Sequence, residues 1–282
     1  MDYPRNDALV STEWLGAHLG EAGLKVIDGS WYLPAEKRDP KAEYAAGHIP
    51  GAVYFDIDTI ADTSSPLPHM FPSPKVFAAA VGELGIGNAD RIVVYDGGSM
   101  TAAGRVWWMF HAFGHDDVAI LDGGAGKWRA EDRPWTAAAS EVSPARFETL
   151  YRSALVRSLA DVLDTIDSKR EQILDARSAG RFQGTAPEPR QGLRGGHMPG
   201  ARNLPYTELL AADGTMRPAA ELKALFENSG VDLKRPVIAS CGSGVSATVL
   251  LLGLHLIGHD GGTLYDGSWS EWGSRQDTPV VT

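Results

Sequence analysis

An internal repeat constrains this chain more than any other feature of its sequence. His48-Ile-Pro-Gly-Ala52 recurs as His197-Met-Pro-Gly-Ala201, and Gly114-His115-Asp116 recurs as Gly258-His259-Asp260. Asp122-Gly123-Gly124 with Trp128 recurs as Asp266-Gly267-Ser268 with Trp272. The last two matches share an offset of 144 (258 against 114, 272 against 128), whereas the first has an offset of 149 (197 against 48). The second copy is therefore about five residues shorter somewhere between them. Matches in one order along the chain mark a duplicated domain. The stretch from Pro134 to Arg152 lacks periodicity and reads as the join. The expected division is a first domain over 1–138, a linker over 139–152 and a second domain over 153–282.

Within each copy short apolar strands alternate with helices. Leu24 to Ile27 and Ile173 to Leu174 read as strands that each end at an aspartate, Asp28 and Asp175. Arg91 to Tyr95 pairs in this scheme with Pro236 to Ser240, and Val118 to Leu121 with Thr263 to Tyr265. Ser73-Pro74 opens a helix with a capping serine and a proline in the first turn, and Arg217-Pro218 plays a similar part ahead of a helix stopped at Gly230. The pattern predicts an α/β fold in which each domain is a mainly parallel sheet flanked by helices. Ligands in such folds sit beyond the carboxyl ends of the strands.

A net charge of −10 argues against nucleic acid as the main partner, because phosphate binding draws on Lys and Arg. The most apolar run, Thr248 to Ile257, is about half of the roughly 20 residues that span a bilayer, and it reads as a buried helix. The opening MDYPRNDALV carries no apolar core stretch, so no membrane association and a cytoplasmic location are expected. A single cysteine, Cys241, excludes an internal disulfide and a four-thiolate metal site.

Cys241 follows a strand and precedes the apolar helix, with Gly242-Ser243-Gly244-Val245-Ser246 between them. Such a loop at a helix N-terminus turns successive N–H groups inward and forms a nest for an anion. The sulfur placed there is favoured as thiolate, the nucleophilic form. At the offset of 144, Cys241 matches Gly97 and Ser240 matches Asp96, so the cysteine belongs to one copy alone. His48 and His197 occur in both, which favours a structural role for each. Arg177, close to a strand end, reads as a structural ion-pair former.

These residues, with Arg105-Val-Trp-Trp-Met-Phe110 and Asp266-Gly-Ser-Trp269, resemble the tandem rhodanese family over essentially the whole chain. The resemblance implies two rhodanese-like domains, an inactive first and a catalytic second that carries sulfur as a persulfide on Cys241. Gly242 and Ser243 stand where thiosulfate-specific members place cations, so the loop is similar to that of the family's 3-mercaptopyruvate sulfurtransferases. The segment from Asp175 to Arg190 matches the stretch that holds two substrate arginines, which implies Arg181 and Arg190 as holders of the substrate's carboxylate and carbonyl. The family's proton relay joins a serine two residues after the cysteine, a first-domain histidine and an aspartate; Ser243 and His48 match the first two, and Asp39 is the candidate for the third. No cofactor and no metal are implied. The partners implied are a small-molecule sulfur donor and a thiol acceptor, with a thioredoxin-like dithiol in that role.

Three other functions compete. A phosphatase on this fold closes its loop with an arginine six places after the cysteine, where Ala247 stands here. A non-catalytic binding module has no call for the nucleophile. Thiosulfate as the main donor is the nearest rival, and only kinetics separates it.

Overall fold

The computed structural model describes residues 2–282. Two five-stranded sheets are built from the two halves of the chain. The first contains β1 (Leu9–Val10), β2 (Leu24–Asp28), β3 (Val53–Tyr54), β4 (Arg91–Tyr95) and β5 (Val118–Leu121) in the order β1-β5-β4-β2-β3. The second contains β6 (Val156–Arg157), β7 (Gln172–Asp175), β8 (Arg202–Asn203), β9 (Val237–Ser240) and β10 (Gly262–Tyr265) in the equivalent order β6-β10-β9-β7-β8. Every pairing is parallel. The three inner strands of each sheet are those the sequence predicts. The four outer strands have two residues apiece, too few to carry a period.

Helices α1 (Thr12–His18), α2 (Pro40–Ala46), α3 (Pro74–Glu83), α4 (Thr101–Ala112) and α5 (Gly124–Ala130) flank the first sheet. The second has α6 (Leu159–Ser168), α7 (Ala179–Phe182), α8 (Ala219–Asn228), α9 (Ala247–Leu256) and α10 (Ser268–Trp272). Ser73 caps α3 by accepting from Val76 N, with Pro74 in the first turn as expected. Pro218 stands one place earlier, at the cap itself, so α8 begins at Ala219. The join is strapped along the first domain: Ala145 N donates to Gly82 O and Leu150 N to Phe113 O, and Phe147 is buried against Phe77 and Phe110.

Burial follows the two-residue period of the strands. Ile92 and Val94 of β4 and Val237 and Ala239 of β9 enter one apolar cluster common to both domains. Val93 and Tyr95 face an outer cluster around Trp128, and Ile238 faces another around Trp272. The domains thus share a middle layer, where α4 packs against α9, and burying it excludes water as a core does.

Strand pairing corrects the register between the copies. Asp28 pairs with Tyr95, and Gly29 N donates to Tyr95 O; Asp175 pairs with Ser240, and Ala176 N donates to Ser240 O. Tyr95 and Ser240 are counterparts, so Asp96, and not Gly97, stands where Cys241 stands. The single offset of 144 misaligns this point because Gly258 follows Cys241 by 17 residues whereas Gly114 follows Asp96 by 18, so the second copy is one residue shorter between them.

The interface is reciprocal. Asp266, at the end of β10, accepts Phe71 N from the first domain at 2.8 Å; Asp122, at the end of β5, accepts Met216 N from the second, also at 2.8 Å. The donors belong to matching excursions, one closed by Asp62 N to Met70 O and a shorter one closed by Ala211 N to Thr215 O. Most of the residues missing from the second copy are missing here.

Burial pushes the Asp122 carboxyl up from 3.8 to about 6, with Asp213 adding to the shift, and no cation lies within ion-pair distance among the described residues. The folded protein holds this proton more tightly than the unfolded chain. The stabilising contribution of protonation is full below pH 3.8 and is lost as pH rises through about 6. Asp122→Asn, whose amide oxygen still accepts Met216 N, is expected to raise unfolding stability by about 1–3 kcal/mol at pH 7.5. The gain shrinks toward zero at pH 4 when both proteins are denatured in urea across the range. A gain that does not vary with pH contradicts this assignment.

Candidate active site

The strand ends and helix starts create two similar loops with different contents. In the first domain the Asp96 carboxylate fills the nest: Oδ1 accepts from Gly98 N (2.9 Å) and Met100 N (3.0 Å), and Oδ2 from Ala102 N (3.0 Å) and Ala103 N (3.1 Å). In the second domain Cys241 occupies the corresponding position, 1% exposed. The side chain of Ser268 and the backbone of α10 hold this loop from behind. Ser268 Oγ accepts from Cys241 N (3.2 Å) and Gly244 N (3.1 Å), while Trp269 N donates to Cys241 O and Ser270 to Gly242 O. Two of the loop amides are therefore turned to Ser268, where the sequence expectation had the whole loop facing the sulfur. The amides of Gly242, Ser243, Val245 and Ser246 have no protein acceptor among the described residues.

A cavity of about 340 Å³ opens over this loop, lined by Cys241, Gly242, Ser243, Val245 and Ser246 and by Arg181 and Arg190. Tyr206 closes one side and Trp31, from the first domain, another. Arg181, on α7, is bound to Glu188 Oε2 at 2.6 Å. Glu188 is itself held by Arg177, which is fully buried, pairs with Asp175 at 2.6 Å and stacks on Trp269; Arg177 is the structural ion-pair former the sequence suggests. Arg190 has no carboxylate within ion-pair distance among the described residues. Burial lowers its pKa, opposed by the negative charge of Cys241. A half-buried cation without a counterion favours an anionic ligand.

Arg190 meets a histidine other than the one expected. Arg190 Nη2 lies 3.3 Å from His69 Nε2. A guanidinium only donates, so Nε2 is the acceptor and the ring proton resides on Nδ1. Nδ1 lies 2.6 Å from Asp58 Oδ1, and Asp58 Oδ2 accepts from Trp31 Nε1 at 2.9 Å. Burial pushes the His69 pKa down, against the pull of Asp58, with Arg105 and Arg190 adding to the fall. The close contact with His69 holds the Asp58 carboxyl below the usual range. His69 sits at φ 60°, left-handed backbone that a non-glycine residue adopts at a cost, a common feature of functional loops.

His48 and Asp39 lie elsewhere. His48 exchanges backbone hydrogen bonds with Thr136, its Nδ1 contacts Tyr44 O at 2.8 Å, and its ring stacks on Tyr44. His197 does the same with Val281, Phe182 O and the Phe182 ring. Each closes its domain onto its own terminal segment, which is why both copies keep it. Asp39 caps α2 through Lys41 N and Ala42 N. Neither side chain lines the cavity. The signal for His69 was present in the repeat: Asp58 lies just before, and His69 within, the excursion that the second copy shortens.

A family model described as Rhodanese-like domain matches residues 11–131 and again 158–275. The chain belongs to the rhodanese family. It is 43% identical to thiosulfate/3-mercaptopyruvate sulfurtransferase 1, mitochondrial, of Arabidopsis thaliana, over 98% of this chain and 78% of that one. It is 44% identical to the 3-mercaptopyruvate sulfurtransferase of Rattus norvegicus, over 95% and 92%. The crystal structure of SseA from Escherichia coli, a 3-mercaptopyruvate sulfotransferase, superposes with a TM-score of 0.85 at 41% identity, over 93% of this chain and 98% of that one. No helix among the described residues is long and apolar enough to cross a membrane.

Within this rhodanese the two loops are a built-in comparison: a carboxylate already fills the first, and the second presents a sulfur to similar amides. Cys241→Asp is therefore expected to fold and to be more stable than Cys241→Ala by about 1–3 kcal/mol at pH 7. Acidification below pH 4 removes the advantage. Urea titrations of both variants at the two pH values check this, and a less stable aspartate variant shows that the amides do not converge on that position.

Proposed function

We propose that this chain is a sulfurtransferase that takes sulfur from 3-mercaptopyruvate, holds it as a persulfide on Cys241 and delivers it to a thiol. The observation that carries the reading is one cavity holding a nucleophilic sulfur at a helix N-terminus, free loop amides and an arginine with no carboxylate of its own. The division at 139–152 makes the second domain the catalytic one, with the first supplying His69 and Asp58.

Arg190 and Arg181 bind the carboxylate and carbonyl of the donor. As the carboxylate takes Arg190, Nε2 of His69 is released to accept the donor's thiol proton. Thiolate Cys241 attacks the donor sulfur, the C–S bond breaks, and its electron pair passes to carbon as the enolate of pyruvate. His69 returns the proton to that carbon, so pyruvate leaves and Cys241 carries an anionic outer sulfur. Ser243 and the free amides of the loop hold this charge. An acceptor thiolate then attacks the outer sulfur and regenerates Cys241 in a second displacement. A thioredoxin-like dithiol is the acceptor we favour, and a reducing compartment such as the cytoplasm suits a working thiolate.

Preference for mercaptopyruvate over thiosulfate is supported at Gly242. A Cβ there would lie 2.9 Å from Arg181 Nη2, so the space that a side chain after the cysteine would enter is already taken by a guanidinium from α7.

Intact mass measurement after exposure to mercaptopyruvate is expected to show one added sulfur in the native chain and none in Cys241→Ser. Arg190→Ala is expected to lower kcat/KM for mercaptopyruvate by about 10–200-fold, from about 1.5–3 kcal/mol of charge-assisted contact, and to affect thiosulfate less. Equal losses refute the role given to Arg190, and a higher kcat/KM for thiosulfate in the native chain overturns the donor. His69→Asn is expected to lower kcat by about 10²–10⁴, whereas His48→Asn alters stability with kcat retained.

A further inference from the structure

Arg105 projects from α4 of the first domain and is fully buried. Nη1 donates to Asp266 Oδ1 at 2.7 Å and to Gly244 O at 3.2 Å, both in the second domain, while Nη2 donates to the backbone carbonyl of His69 in its own. The guanidinium carbon lies 4.3 Å from the centroid of Phe71, whose N–H donates to the other oxygen of Asp266. One side chain thus touches the cysteine loop and the histidine segment together. The packing has no slack: Gly244 is at φ 72°, and a Cβ on it would lie 2.7 Å from Asp266 O and 3.1 Å from Arg105 Nη1.

The duplicated interface supplies its own control. On the opposite side Asp122 takes Met216 N as Asp266 takes Phe71 N, yet no arginine joins it. The domains dock there without a buried cation, so docking alone does not require one. Burying a guanidinium is costly unless its hydrogen bonds are made, and here it is buried only on the side where Cys241 stands.

We propose that Arg105 is a positioning residue for sulfur transfer, which holds the His69 backbone and the Cys241 loop in fixed register across the domain interface. The inference rests on the sulfurtransferase reading. Displacing a reacting group by about 1 Å costs on the order of 10²-fold in rate. Arg105→Lys keeps a charge opposite Asp266 and gives up the fork that reaches Gly244 O and His69 O together.

The test is a double-mutant cycle in the full chain, with kcat and KM for mercaptopyruvate measured for Arg105→Lys, His69→Ala and the pair. Arg105→Lys is expected to lower kcat by about 10–100-fold with KM within about threefold. In the His69→Ala background most of that penalty should vanish, since the group being positioned is gone. Additive losses, or a loss that follows the unfolded fraction measured by circular dichroism, overturn the proposal. If Arg105→Lys does not fold, Asp266→Asn replaces it in the same cycle with the same two outcomes. Single sulfur addition to the native chain, read by mass, tests the underlying reading separately: its absence removes the reaction, whereas its presence with additive losses removes only the role of Arg105.

Discussion

Main-chain amides at the start of a helix need an acceptor, and this requirement organises both halves of the molecule. Each domain brings a strand, a tight loop and a buried helix to the carboxyl edge of its sheet, and each leaves several N–H groups there without a helical acceptor. In the first domain Asp96 satisfies four of them permanently. In the second, the same position holds the sulfur of Cys241, with Ser268 and α10 bracing the loop behind it.

Duplication also shaped what lies above the loop. Each domain extends an excursion across to the other and fastens it to an aspartate at a strand end, Asp266 for one and Asp122 for the other. The two latches have diverged in opposite senses. The Asp266 latch has Arg105 and a longer excursion bearing His69; the Asp122 latch has a carboxyl without an ion-pair partner among the described residues, and burial raises its pKa. Arg105 and the longer excursion lie on the Cys241 side of a near-symmetric interface, while the other side has the simpler docking arrangement. The shared apolar layer between α4 and α9 packs the two sheets together, so that Arg105 of the first domain reaches the loop that carries Cys241.

Much of the architecture was legible in the residues. The inner strands, the buried helix after Cys241, the capped start of α3 and the structural character of Arg177 and the paired histidines all follow from local pattern and repetition. Two-residue edge strands escaped because they hold no period. The register at Cys241 escaped because the one residue that the second copy lacks between this position and Gly258 is invisible when only shared landmarks on either side are compared. His69 and Asp58 escaped for a different reason: they lie where the copies differ, and a repeat directs attention to where they agree.

From sequence alone came the duplicated α/β plan and the single cysteine, because these depend on periodicity and on residue types near one another in the chain, while the resemblance to the family pointed to the two arginines that line its cavity. Tertiary structure alone decided which histidine and aspartate reach Arg190 and which arginine spans the domains. Those contacts join residues more than a hundred positions apart, and only the packing of α4 on α9, with the burial and hydrogen bonds that packing imposes, brings them together.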